Sequence, residues 1–272
     1  MKLEYQYMEH TSTRIDRAAS SKAVGSLARG LLILEYLLVH EGSTQSQVAK
    51  ALQIPKATLY RLVNVLIDSN FVVAQSDKRL YLGPLFLLTT KSNRRELAAI
   101  ELVRPLLQSL ANATGEGANL AALAGIEALY IDAVEGRHLV GIFTKPSNRV
   151  PLYATGVGKA LLAALSDEEL QKTLNEIRMT VYTPYTLSTR ERLLENLDKI
   201  RSCGLSFDRQ EYADGVSCVA TALEIGNYKL AVSISGPSQR VGDKELERLA
   251  TILAQEVKDF CAAVGGIKNS WS

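Results

Sequence analysis

The sequence predicts an α+β protein in two parts. A winged helix-turn-helix occupies the first third, and strands enclosed by helices fill the remainder. Three observations carry this. Two short apolar-striped helices separated by a tight turn run into a hairpin before residue 90. Beyond Gly115 short strand-like runs alternate with turns, and helical patterns flank them. The charge is also divided: Met1 to Arg95 carries thirteen Lys/Arg against seven Asp/Glu, although the whole chain of 272 residues is only +2. A basic first third on a mildly acidic body fits one module that faces nucleic acid.

Taken in order, "SLARGLLILEYLLVHEG" places Leu27, Leu31, Leu34 and Leu38 at helical spacing, with Gly42 to close the end. In "STQSQVAKALQI", Thr44 and Gln47 form a capping-box pair. Pro55 suits the entry to the next helix, "KATLYRLVNVLIDS", whose Leu59, Leu62, Val63 and Leu66 make one stripe. "FVVAQSDKRLYLG" predicts two strands around Ser76-Asp77-Lys78. From Leu85 to Ala113 the pattern is helical, and Pro105 predicts a break into a connector and a second helix. "ANLAALAG", "EALYIDAVEG" and "LVGIFTK" predict successive strands. "GVGKALLAAL", "DEELQKTLNEI" and "STRERLLENLDKIRSCG" predict helices, the last capped by Ser188 or Thr189. "LSFDRQE", "VSCVATALE" and "KLAVSISG" predict three more strands, and a helix from Asp243 to Val264 ends the series. The divisions expected are a flexible tail over 1–21, a winged helix-turn-helix over 22–90, a linker helix over 91–113 and a further domain over 114–272.

No apolar run approaches the length of a membrane span, and the first residues lack the apolar core of a signal peptide, so a cytoplasmic location is expected. The three cysteines and three histidines are scattered, which argues against a disulfide framework or a zinc site; no cofactor and no metal are expected.

In a winged helix-turn-helix the free side of the second helix enters the major groove. Here it offers Lys56, Thr58, Tyr60, Arg61 and Asn64. Arginine pairs with guanine and asparagine with adenine, while Lys, Thr and Tyr hold phosphates. Thr44 and Gln45 at the preceding helix start, and Lys78 and Arg79 at the hairpin tip, complete the candidate DNA-binding set. Ordinary solvated helix residues are the alternative reading of the same positions.

The stretch "TQSQVAKALQIPKATLYRLVNVLIDSNFVVAQSDKRLYLGPLF" resembles the DNA-binding domain of the IclR family of bacterial transcriptional regulators. The similarity continues through "VPLYATGVGKALLAAL", "TPYTLSTRERLLENLDKIRSCGLSFDRQEYADGVSCVATALE" and "AVSISGPSQRV", and covers roughly Val24 to Val264. The resemblance implies an N-terminal winged helix, a linker helix and a GAF-like effector-binding domain with a curved antiparallel sheet. It implies homodimers paired through the N-terminal domains, often assembled into tetramers. The expected activity is ligand-responsive repression of a catabolic operon, with double-stranded operator DNA and a small organic acid as partners. One departure is Tyr153, where the family commonly has histidine.

"GVGKALLA" fails as a phosphate loop, because Tyr153 and Ala160 stand where glycine and Ser/Thr are needed. Its glycines can instead open a helix whose free N–H groups suit a carboxylate, or simply pack a turn on the sheet. Strand alternation puts Cys218 on one face with Ala220, and Ser233 shares a face with Ser235. The resemblance implies that Gly156, Val157, Asp208, Cys218, Ser233 and Ser235 line an effector cavity, with Leu139, Ile142 and Val150 as its apolar wall. Cys218 otherwise reads as a core thiol. A catalytic reading fails for lack of a base near Cys218. Asp208 and Glu211, three apart on an expected strand, should lie on opposite faces and so make no acid pair. No Arg or Lys is expected to point at the cavity.

Overall fold

The structure, a computed structural model, describes residues 25–75, 77–86, 94–226, 228–264 and 267–269. The tail expected over 1–21, the start of the linker and Ser76 of the hairpin lie outside the described residues. Two compact units divide at Ala98/Ala99.

The first unit begins with α1 (Ser26–Val39), which buries Ile33, Leu34 and Leu37. The short β1 (Ser43–Thr44) leads into α2 (Gln45–Ala51). The capping box forms: the Thr44 hydroxyl accepts the Gln47 N–H, and the Gln47 carbonyl oxygen accepts the Thr44 N–H at 2.8 Å. Two of the orphan donors at this helix start are thereby satisfied. Gln53 (φ 51°) turns the chain into α3 (Lys56–Asp68), entered from Pro55. The hairpin strands β2 (Val72–Ala74) and β3 (Arg79–Leu82) follow. The sheet order β1-β3-β2 includes a first strand that its two-residue length hid from the sequence reading. Ile33, Leu37, Val48, Leu52, Leu59, Val63, Val72 and Leu80 form the core.

The second unit takes in α4 (Arg94–Thr114) from Ala99 onward. One expectation is corrected here. Pro105 does not break the helix, which runs through it. Proline costs a helix interior one hydrogen bond and a clash of about 3 kcal/mol. Val103, Leu106, Leu107 and Leu110 are all buried in one core around it, and their burial, at about 1.5–3 kcal/mol each, outweighs that cost. This half of α4 also contributes to the core of the second unit.

Ten strands and eight helices are described in all. Those of the second unit are β4 (Gly117–Ala124), β5 (Glu127–Val134), β6 (Arg149–Pro151), α5 (Gly156–Ala163), α6 (Asp167–Glu176), α7 (Arg190–Cys203), β7 (Ser206–Arg209), β8 (Val216–Ile225), β9 (Tyr228–Pro237), α8 (Asp243–Val264) and β10 (Ile267–Asn269). The segment "LVGIFTK" is not a strand; the third strand of that region is β6. Its apolar, β-branched residues suit a strand, but the backbone finds no ladder. Thr189, not Ser188, caps α7, and Ser166 opens α6 with a second capping box.

The strands form one antiparallel sheet, β10-β8-β9-β4-β5-β6, curled into a half-barrel, with β7 sharing an edge of β8. Its two faces differ. Leu120, Val219, Leu223, Leu230, Val232 and Ile234 pack in one core with residues of α4 and α8. Asp132 also belongs to this side, opposite Leu120, and its carboxylate accepts Arg104 Nη1 from α4 at 2.6 Å. The α5 start lies on the opposite face, and it is there that polar side chains collect.

Candidate functional site

In the first unit the buried stripe Leu59 and Val63 turns one side of α3 to the core. Helical geometry puts Ala57, Tyr60, Arg61 and Asn64 on the free side, while Lys56 stands at the exposed first turn of the helix. Lys56, Tyr60 and Arg61 are exposed, and Asn64 is half-buried. A concave cleft of about 640 Å³ is lined by Gln45, Ser46, Lys56, Ala57, Leu59, Tyr60 and Arg61. Five of the sequence-predicted residues thus gather around one surface: Gln45, Lys56, Tyr60, Arg61 and Asn64. Thr44 sits at the N-cap of α2, with its hydroxyl in the capping box. Thr58 does not line the cleft and is half-buried. At the hairpin, Lys78 is exposed with φ 63°. The Arg79 guanidinium is engaged internally, donating to the Gly42 carbonyl at 2.9 Å and pairing with Asp77 at 3.1 Å.

In the second unit strand register assembles a row of side chains. Asp208 stands opposite Cys218, and Cys218 opposite Ser235; Ala220 stands opposite Ser233, and Ser233 opposite Asn119. Directly paired residues share a face, so Asp208, Cys218, Ser233, Ser235 and Asn119 form one polar floor. The Asn119 amide donates to Ser235 Oγ at 2.9 Å and to Ser233 Oγ at 3.4 Å. The first turn of α5 rests on this floor. A Cβ built on Gly156 would lie 2.9 Å from Cys218 Sγ and 3.6 Å from Ala220 Cβ. Thr155 caps the helix, accepting the Gly158 N–H at 3.2 Å.

The expectation that no cation approaches this region is corrected. Lys159 is fully buried, and its ammonium donates to both Glu211 oxygens at 2.5 Å. The opposite-face expectation for Asp208 and Glu211 is corrected as well. β7 ends at Arg209, and Gln210, with φ 61°, turns the chain. The Glu211 N–H is thereby delivered to Asp208 Oδ1 at 2.7 Å. Thr183 and Thr186 secure the turn from outside, donating to the Gln210 and Glu211 carbonyls, each at 2.7 Å.

The electrostatics follow from burial. Desolvation pushes the Asp208 carboxyl up to about 7; the Glu211 carboxylate adds to the rise and Lys159 opposes it. Desolvation, and after it the charge of Asp208, hold the Cys218 thiol well above its ordinary value. A thiol so held is not a nucleophile at neutral pH.

The implied apolar wall divides. Ile142 is buried, and its carbonyl lies 3.2 Å from where a Gly117 Cβ would sit, next to the floor. Val150 is buried on β6, with β4 and β5 between it and β9. Val157 is buried on α5 beside Gly156. Leu139 is 99% exposed and forms no wall. The loop around it is held by Arg240, which donates to the Val140 carbonyl and is bidentate with the buried Glu116. That anchoring turns Leu139 outward. Tyr153, the departure noted in the sequence, is buried; its hydroxyl accepts the Thr180 N–H at 2.6 Å and donates to the Thr180 carbonyl at 3.0 Å. Asn119 was missed, although a single amide in the otherwise apolar "ANLAALAG" was a readable signal. Among the described residues no three acidic, cysteine or histidine side chains gather as a metal site, and no helix is long and apolar enough to cross a membrane.

Comparison with known proteins finds a domain match for each unit. Residues 26–76 match the IclR helix-turn-helix domain, and residues 93–262 match the bacterial transcriptional regulator IclR C-terminal domain. The chain is 31% identical over 252 residues to the HTH-type transcriptional repressor AllR of Escherichia coli K12, covering 90% of this chain and 92% of that protein. The Thermotoga maritima IclR crystal structure is similar with a TM-score of 0.65 at 26% identity, over 88% of this chain and 98% of that one. An IclR homologue from Microbacterium hydrocarbonoxydans, solved in complex with 4-hydroxybenzoate, shares the fold with a TM-score of 0.71 at 20% identity, over 88% of this chain and all of that one. With two domain matches in order and relatives named as regulators along nearly its whole length, the chain belongs to the IclR family of bacterial transcriptional regulators and is a DNA-binding regulator, not an enzyme.

Proposed function

We propose that this protein is a ligand-responsive repressor that reads an operator with the free face of α3 and senses a small organic acid on the polar floor of its second unit. The observation that carries the reading is the clustering of exposed Lys56, Tyr60 and Arg61 around the α2–α3 cleft, where base edges and phosphates would be met together. Arg61 and Asn64 are assigned to bases, with Lys56, Tyr60 and Gln45 on phosphates or groove edges. Lys78 serves the flanking backbone, and Arg79, held by Gly42 and Asp77, shapes the wing.

For the effector, the support is a floor of hydroxyl and amide groups beneath the start of α5, and a structural relative that holds 4-hydroxybenzoate. Gly156, Val157, Asp208, Cys218, Ser233 and Ser235 are the contacts we assign, with Ile142 at the rim. The acid belongs to a catabolic pathway whose operon the protein controls. Operator symmetry requires a dimer. Leu27, Leu31 and Leu38 of α1, at 79%, 52% and 54% exposure along one side of that helix, supply an apolar face for it.

The test is a gel shift on DNA from the protein's own promoter region. Arg61→Ala is expected to weaken binding by about 1–3 kcal/mol per operator half-site and to relax preference at one base position. Lys56→Ala is expected to weaken all sequences evenly and flatten the salt dependence. In the same assay Ser235→Ala should leave operator affinity intact while abolishing release by the acid. Unchanged DNA affinity in both α3 variants would sink the assignment.

A further inference from the structure

The buried cluster beneath α5 contains one cation and two carboxyl groups: Lys159, fully buried, with Glu211 and Asp208 at 7% and 4% exposure. Lys159 gives both of its short contacts to Glu211 and is spent there. The groups facing Asp208 are few. Glu211 and the Tyr212 N–H come from the turn after β7, Lys159 from α5 and Cys218 from β8. Ser235, Ser233 and Asn119 beyond them are neutral, as are Thr183 and Thr186 outside the turn. With Lys159 and Glu211 cancelling, an ionised Asp208 would have only the Glu211 and Tyr212 N–H groups to hold its charge in a dry interior, and the desolvation cost outweighs them.

We propose that Asp208 holds a proton, and that a carboxylate effector binds only while that proton is in place. This rests on the assignment of the polar floor as the effector site. A neutral Asp208 donates a hydrogen bond to the incoming anion, whereas an ionised one repels it. The site therefore takes a monoanionic carboxylic acid together with one proton, and Asp208 rather than an Arg or Lys sets the specificity. The carboxyl value near 7 places the change within the working range of the protein. Above it, affinity falls as the proton is lost; below it, affinity is flat.

Two measurements test this on the full-length protein. The first is infrared difference spectroscopy without ligand, wild type against Asp208→Asn, with Asp208→Ser as a second neutral variant. A protonated-carboxyl C=O stretch is expected at about pH 6 and should be gone by about pH 9. Absence of the band at the lower pH overturns the proposal whatever the protein binds. The second is calorimetric titration at about pH 8 with 4-hydroxybenzoate and with two- to four-carbon 2-oxo acids, in buffers of different ionisation enthalpy. The expected result is uptake approaching one proton per ligand, and a tenfold loss of affinity for each further pH unit. Asp208→Asn should bind with no uptake and no pH dependence, while His138→Gln, a control for the histidine of this unit, should behave as wild type. A pH dependence that survives in Asp208→Asn, or vanishes in His138→Gln, overturns the proposal. A band that titrates as expected while none of the acids binds defeats instead the effector-site assignment, and the proposal falls with it.

Discussion

Lys159→Met is expected to destabilise the second unit by about 3–5 kcal/mol, the usual cost of removing one partner from a buried ion pair. The ammonium makes both its short contacts to Glu211 from a position with no solvent exposure. Its loss leaves two carboxyl groups facing each other without a counter-charge. They can escape only by protonation, so the loss should grow as pH rises. Glu211→Gln is expected to cost less, because Asp208 then remains as the partner for Lys159. The double variant Lys159→Met/Glu211→Gln removes both charges and should recover much of the stability lost in Lys159→Met. Urea unfolding followed by circular dichroism, at about pH 6 and about pH 8, gives all these comparisons. A Lys159→Met variant within about 0.5 kcal/mol of wild type, as is usual for surface substitutions, would show that the pair is not buried as described.

Gly158→Ala is the second large effect. Alanine is favoured over glycine in a helix by about 1 kcal/mol, so propensity alone would make this variant more stable. Sterics oppose it. A Cβ at this position would lie 2.4, 2.5 and 2.7 Å from the O, Cα and C atoms of Leu152. These are backbone atoms of the turn between β6 and α5 and cannot rotate away. Overpacking a tight site costs typically about 1–3 kcal/mol and occasionally more, so net destabilisation is expected. Gly156→Ala is the matched control. Its closest neighbour is the Cys218 sulfur at 2.9 Å, the end of a side chain that can turn. It should therefore change stability little while narrowing the floor. Thermal unfolding of the two variants separates the glycine that builds the turn from the glycine that borders the site. Equal midpoints would refute the distinction.

Much of the fold was legible because it rests on local signals. The stripe Leu59, Leu62, Val63, Leu66 and the Thr44–Gln47 pair specify their helices without help from distant residues. Strand alternation likewise put Cys218 and the serine pair where register later joined them. What failed depended on distance or on backbone strain. Lys159 and Glu211 are 52 residues apart, and nothing in "GVGKALLA" says that its lysine is buried. Gln210 reverses the chain at positive φ without glycine, so "SFDRQE" read as unbroken strand. Pro105 gave a sound local warning that burial of its neighbours overrode. The resemblance implied Leu139 as a wall residue, yet a contact made by Arg240, a hundred residues later, holds the adjacent Val140 and leaves the leucine outside.

The two-sided sheet has an evolutionary consequence. Along β8, Val219 and Leu223 belong to the core with α4 and α8, while Cys218 and Ala220 face the start of α5. Alternate letters of a single strand therefore answer to different selective pressures. If the floor holds the effector as proposed, substitutions at the even positions would retune which molecule is recognised without drawing on the stability held by the odd ones. A lineage could then change its signal through single steps on one side of a sheet, each leaving a folded protein behind it.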